Sequence, residues 1–333
     1  MKPKGLFHNP RRHITFEIHY IKLMKRRVFT QKMAMSAATL PFLNFTAEGS
    51  PNVDALEVHI FSKHLQFLPY RTVGEKAAEL GFAGVDLTVR PNGHVEPENV
   101  AEKLPEAVEE IRKGGSVCKL ITTAVESAEK AEDLAVLQAA SKAGVQSYRC
   151  NWFEYNPDQT MEESLLFYQK QVRALSELNR SLNLVGCYQN HAGTAIGSSI
   201  WEVKKILETA LPDHFGSQFD IRHATVEGGL SWPNSLRLIH PYIRTIVLKD
   251  FKWAKVKGKW VTENVPIGEG MIDFKKYFAL LKQYKIRVPV CLHMEYALGG
   301  AEHGHRQIHG DQSVVFEAMK KDLAAIQKLW QEA

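Results

Sequence analysis

A chain of 333 residues, 44% of them hydrophobic, is long enough for one large core or two ordinary domains, and it has no low-complexity tract that would make it fibrous or disordered. Its formal charge of +5 is concentrated at the start: residues 1–32 carry nine Lys/Arg against Glu17 alone, leaving 33 basic and 36 acidic residues beyond them, a net of −3. A basic balance confined to the leader excludes the broad cationic face that nucleic acid or an anionic membrane would need, so neither is implied as a partner.

Residues 1–23 show neither a helical nor a strand period and read as unstructured, or as an over-extended start preceding Met24. In residues 24–47, Met24-Lys-Arg26-Arg27-Val-Phe29-Thr-Gln-Lys32 precedes the mildly apolar Met33–Phe45. The arginine pair, the phenylalanine two residues later and the weak apolar region resemble a twin-arginine export signal, which implies a periplasmic or secreted protein that folds before export. The apolar stretch is too short for a stable membrane span, and Phe45-Thr-Ala47 matches a small-x-small cleavage site poorly.

From residue 56 strand and helix signals alternate. The strand candidates are Leu56–Phe61, Ala83–Val89, Cys118–Ala124, Gln146–Asn151, Leu184–Asn190, Gly216–Arg222, Arg244–Asp250 and Val288–Glu295. Between them run 3.6-residue periods, such as Leu165, Tyr168, Val172, Leu175, Leu182 and, in the last helix, Val315, Met319, Leu323, Ile326, Leu329. Capping-box spacing places helix starts at Thr72/Glu75, Thr160/Glu163 and Ser199/Glu202. After strand seven, Phe251–Thr262 reads as a hairpin turning at Gly258, its Trp253 and Trp260 either stacking on a bound ring or packing on the barrel rim. Cys118, Cys150, Cys187 and Cys291 all fall within strand candidates without ligand spacing, so they read as small buried hydrophobes. Eight β-α units at roughly 30-residue intervals predict a single-domain (βα)8 TIM barrel over residues 55–330, because that fold takes ~250 residues. No Gly-x-Gly-x-x-Gly follows the first strand, so no nucleotide cofactor is implied.

In such a barrel the chemistry sits at the C-terminal strand ends, and these are polar here. Strand one leads into Lys63 and His64; strand two ends in Asp86, Thr88 and Arg90 before a turn to His94; strand four ends at Arg149. Strand five ends with Gln189 and His191, strand seven with Lys249, strand eight with His293 and Glu295. Strand six, Gly216-Ser-Gln-Phe-Asp220-Ile-Arg222-His223, is expected to present Asp220 and Arg222 on one face by alternation, with His223 just past them. A barrel without a site would lose stability by crowding so many desolvated charges into one mouth. Substrate contacts are therefore expected from Lys63, His64, Asp86, Arg90, His94, Arg149, Arg222, His293 and Trp253.

The Asp-x-x-His of strand six, the Lys249-Asp250 of strand seven, the Gly268-Glu-Gly270-x-x-Asp273 turn and Glu295 resemble the xylose isomerase-like TIM barrels of the sugar phosphate isomerase/epimerase family. More narrowly, Phe61-Ser-Lys-His-Leu-Gln66, Asp86-Leu-Thr-Val-Arg-Pro91, Tyr188-Gln-Asn-His191 and Leu298-Gly-Gly-Ala-Glu-His-Gly304 resemble a secreted bacterial branch of that superfamily. The resemblance implies one divalent metal (Mn, Mg or Zn) held by Glu, Asp, His and Glu on strands five to eight, the two glutamates passing the proton. Asp220 and Glu295 stand at two of these positions, whereas Gln189 replaces the first Glu and Val247 replaces the His. Gln189 can offer a carbonyl oxygen but cannot act as a base, and Val247 can do neither, so the metal set reduces to Asp220, Glu295 and Gln189.

Proton abstraction next to a carbonyl needs a base, a group to return the proton and a cation at the oxyanion. Glu295, His191 and His223 are the candidate acids and bases, and Lys249 or Arg222 the candidate cation. Three functions follow: isomerisation or epimerisation of a carbohydrate; a lyase or hydratase reaction on a 3-keto-sugar or keto-glycoside; and periplasmic sugar binding without turnover.

Overall fold

The computed structural model describes residues 55–333, so the readings of residues 1–23 and 24–47 lie outside the described residues. In chain order the elements are β1 (Val58–Phe61), α1 (Tyr70–Leu80), β2 (Gly84–Val89), α2 (Val100–Lys113), β3 (Leu120–Thr123), α3 (Ala131–Lys142), β4 (Ser147–Arg149), α4 (Met161–Leu182) and β5 (Val185–Gln189). They continue with α5 (Ile200–Leu207), β6 (Phe215–Asp220), α6 (Ile221–Gly228), α7 (Trp232–Ile239), β7 (Ile243–Leu248), β8 (Asp250–Val256), β9 (Lys259–Val265), α8 (Phe274–Gln283), β10 (Val290–Leu292) and α9 (Ser313–Gln331). Eight parallel strands close in the order β1-β10-β7-β6-β5-β4-β3-β2, and β8 with β9 forms a separate antiparallel hairpin. The expected (βα)8 barrel is thus present, with its strand ends gathered at one mouth.

All six residues of β2 and all six of β6 are buried, since one face of each strand meets helices and the other fills the lumen. The hairpin turns at Lys257 and Gly258, both at positive φ (48° and 82°), the two-residue geometry that matches strand twist. All four cysteines are free and buried, although Cys118 and Cys150 lie just outside the strands they were assigned to.

Three local expectations are corrected. The Thr160/Glu163 capping box forms, with both reciprocal bonds. Thr72 lies inside α1, which starts after Pro69, because a fixed φ and a missing N–H suit proline to a helix entrance. Ser199 precedes α5 but its side chain caps nothing, since Glu202 turns to accept the Gly197 N–H at 2.7 Å. The third correction concerns strand six: β6 ends at Asp220, whose carboxylate accepts the His223 N–H at 3.1 Å and caps α6. Arg222 and His223 therefore sit on the first helical turn, and the alternation expected to pair Arg222 with Asp220 does not reach them.

Two buried carboxylates fasten the mouth. Asp250 accepts the backbone N–H groups of Phe251 (2.8 Å), Gly268 (3.0 Å), Gly270 (2.9 Å) and Ile272 (3.3 Å), folding the β9–α8 connection back onto the start of the hairpin. Asp322 of α9 accepts the Ile267 N–H (3.1 Å) and the Tyr296 hydroxyl (2.8 Å), tying that connection to the loop carrying Glu295.

Candidate active site

The mouth holds a cavity of about 70 Å³ lined by Phe61, Lys63, Arg90, Arg149, Trp152, Gln189, His191, Lys249, His293 and Glu295. A larger cleft of about 250 Å³ lies between the β5–α5 loop and α6–α7, but Glu227 is its only ionisable lining residue. The charged groups converge in the smaller cavity, which makes it the candidate active site.

At its centre the Lys249 ammonium, 3% exposed, stands 3.2 Å from Asp220 Oδ2 and 3.3 Å from Glu295 Oε2. Lys63 Nζ reaches Glu295 Oε1 at 3.7 Å, and His293 Nδ1 faces the same oxygen at 3.8 Å. Burial disfavours the Glu295 charge, but Lys249, His293 and Lys63 overcome it and hold the carboxyl well below the usual carboxylate range. The backbone of Glu295 is fixed in turn, because Asn264 of β9 donates to its carbonyl at 3.2 Å.

On the opposite wall the His191 Nδ1 lies 2.9 Å from the Ala192 carbonyl. A carbonyl only accepts, so Nδ1 carries the hydrogen and Nε2 keeps its lone pair. Burial first, and then the Lys249 charge, lower the His191 pKa and keep the ring neutral. Behind it His223 packs at 3.9 Å between ring centroids. Arg222 Nη1 donates to His223 Nδ1 (3.1 Å), which puts the His223 hydrogen on Nε2, 3.6 Å from Asp220 Oδ2. The amide nitrogen of Gln189 donates to Asp220 Oδ2 at 2.8 Å.

These contacts decide the metal set read from the sequence. Asp220, Glu295 and Gln189 do come together, but an ammonium already lies between the two carboxylates, Gln189 presents a donor to Asp220, and Val247 offers nothing. As they stand these donors do not fit a divalent cation. A second donor set, Asp86, Cys291 and His293, lies deeper, its ligand atoms all within 4.8 Å of one another. Burial raises the Asp86 pKa to about 6 and lowers that of His293 to about 4.

Of the residues expected to touch substrate, Lys63, Arg90, Arg149 and His293 line the cavity. Asp86 is buried beneath it, accepting the Thr122 hydroxyl at 3.0 Å. Arg222 sits behind the wall, over the Phe251 ring and donating to Asn264 at 3.2 Å. Trp253 points outward on the hairpin, 43% exposed and away from the cavity.

His94 faces away, its Nε2 3.1 Å from the Leu68 carbonyl. His64 is a structural tie: its Nε2 accepts the Met294 N–H at 2.9 Å, and its Nδ1 hydrogen points to the Ala301 carbonyl at 3.3 Å. His64→Ala should cost about 2–4 kcal/mol in urea denaturation, because it strands a buried N–H and leaves a void. A loss below about 0.5 kcal/mol would refute the tie, since changes of that size are typical of surface positions.

Phe61 and Trp152 line the cavity but were not read as site residues, since apolar side chains at strand ends carry no chemical signature. Their signal was position alone, at the ends of strands one and four. Phe61 stacks on His293 at 4.0 Å, and Trp152 lies against His191 at 4.5 Å.

A family model described as xylose isomerase-like TIM barrel matches residues 75–310. No curated protein matches the sequence. Among solved structures, a probable 3-DHS dehydratase from Bacillus anthracis is similar at 13% identity and a TM-score of 0.59, covering 83% of this chain and 99% of that one. A 3-keto-D-glucoside 4-epimerase from E. coli is similar at 12% identity and a TM-score of 0.57, covering 79% and 97%. A xylose isomerase-like TIM barrel protein from Mycobacterium smegmatis, in complex with magnesium, is similar at 12% identity and a TM-score of 0.57, covering 83% and 98%. At these identities the likeness is one of fold.

Proposed function

The chain belongs to the xylose isomerase-like TIM barrel family, and from that premise we propose that it is a sugar isomerase or epimerase that removes a proton next to a carbonyl. The observation that carries this reading is the pairing, across one cavity, of a neutral His191 with a free Nε2 lone pair and a Lys249 ammonium. His191 takes the proton, Lys249 stabilises the oxyanion of the resulting enediolate, and Glu295 on the opposite wall exchanges a proton with the other face. Asp220, held by Gln189 and Lys249, fixes the cation rather than reacting.

One feature supports a lyase or hydratase reading of the same apparatus. Glu295 is held low by Lys249 and Lys63, which makes it a weak base and a poor proton donor at neutral pH, and elimination needs only one base. Turnover of a 3-keto-glucoside in D₂O, followed by NMR, separates the two. Epimerisation yields an epimer deuterated at the α-carbon, and elimination yields an unsaturated ketone; neither deuterium nor product would refute both. His191→Asn should lower kcat/KM by about 10²–10⁴-fold, the range for loss of a general base. In the wild type kcat/KM should fall on acidification with a midpoint below the ordinary histidine value of about 6.5, because burial lowers the His191 pKa. Glu295→Gln with the fold intact should abolish epimer formation while leaving α-deuteration by His191. We also propose, from the arginine pair at Arg26 and Arg27, that the protein belongs to an exported branch of the family.

A further inference from the structure

The cavity carries more positive charge than its own carboxylates neutralise. Lys249 and Lys63 are paired with Asp220 and Glu295, but Arg90 and Arg149, from the ends of β2 and β4, line the same wall without an ion-pair partner among the described residues. Arg149 is 3% exposed, its guanidinium lies 4.2 Å from the Trp152 ring, and its Nη1 is buried with no hydrogen-bond acceptor. Arg90 lies over the Phe61 ring at 5.7 Å. Asp86 interacts with both at a distance, as Glu295 does with Arg90, but Asp86 spends its oxygens on Thr122. A buried guanidinium with an unsatisfied N–H, as in Arg149, is costly, and planar forks resting on aromatic rings are held ready for a planar anion. Their pKa values agree: burial and then Arg90 lower Arg149 to about 10, and burial lowers Arg90 and Lys63 as well.

We propose that the substrate is a sugar acid whose carboxylate is held by Arg90 and Arg149, with its reacting carbonyl toward Lys249 and His191. The proposal rests on the reading of this cavity as the sugar site. A trigonal carboxylate matches two guanidinium forks and suits so small a cavity better than a tetrahedral phosphate does.

Calorimetric titration of the full chain with D-glucuronate, D-glucose and D-glucose 6-phosphate tests this without requiring turnover. Glucuronate should bind at least tenfold more tightly than glucose and weaken as salt is raised. The advantage should vanish in Arg149→Met and in Arg90→Met, while the melting temperature of ligand-free Arg149→Met should not fall, since an unpaired buried cation has been removed. A purely structural Arg149 would lower it, and the more exposed Arg90→Met keeps the test decisive if Arg149→Met does not fold. Equal affinity for glucuronate and glucose, no measurable glucuronate binding, a preference that survives in both variants, or tighter binding of glucose 6-phosphate would each overturn the proposal. Failure of the proton-transfer reading would appear instead in D₂O, as glucuronate that binds but exchanges no proton next to its carbonyl.

Discussion

Lys249→Met should lower kcat/KM by about 10²–10³-fold, the effect of losing a preorganised oxyanion donor, and should destabilise the fold by about 3–5 kcal/mol at neutral pH. The stability loss follows from geometry: Asp220 Oδ2 and Glu295 Oε2 both lie within 3.3 Å of the same nitrogen, and methionine removes the cation between them, leaving only Lys63 beside Glu295. At about 2–4 °C per kcal/mol for a domain of this size, the melting temperature should fall by roughly 10 °C. The pH dependence gives the sign. In the wild type the folded Glu295 pKa is depressed, so its stabilisation is present above the unfolded value of about 4.3 and is lost as pH falls through the depressed value. In the variant, like-charge repulsion raises a carboxylate pKa above its unfolded value, so the variant regains stability as pH falls toward 5. The stability gap between the two proteins should therefore be smaller at pH 5 than at pH 7. A gap that is the same at both values would mean that Lys249 does not neutralise these acids.

The second large effect is expected one residue later. Asp250→Ala removes an acceptor shared by four backbone N–H groups and should cost about 3–5 kcal/mol, because hydrogen bonds to a charged acceptor are worth more than neutral ones and two of the stranded donors, Phe251 and Ile272, remain buried. Gly270→Ala should reproduce the defect from the other side, since a Cβ there would overlap the Asp250 carboxylate and the Phe251 carbonyl. Activity should fall in both variants, because the carboxylate that gathers the β9–α8 connection adjoins Lys249 in sequence. Urea denaturation of the two single variants and the double variant checks the account. Two losses that add fully would show that the residues act independently rather than in one knot.

The strand and helix periods determined the barrel, because alternation and the 3.6-residue repeat record which side chains each element buries, and burial is read along the chain itself. The hairpin turn at Gly258 and the Thr160 cap were equally local. Placing polar residues at strand ends likewise located Lys63, Arg90, Arg149, Gln189, His191, Lys249, His293 and Glu295 at one mouth, since a parallel barrel directs every strand end the same way. Tertiary structure alone decided what each of them does. His64 and His94 turned from candidate substrate contacts into ties because their acceptors and donors, Met294, Ala301 and Leu68, are brought near by loop packing that no local pattern records. Asp220 ended its strand because capping α6 satisfied an otherwise orphaned N–H. Lys249 meets Glu295, 46 positions away in sequence, only because β7 and β10 are neighbours in the closed barrel, and it is that closure which puts an ammonium between two carboxylates.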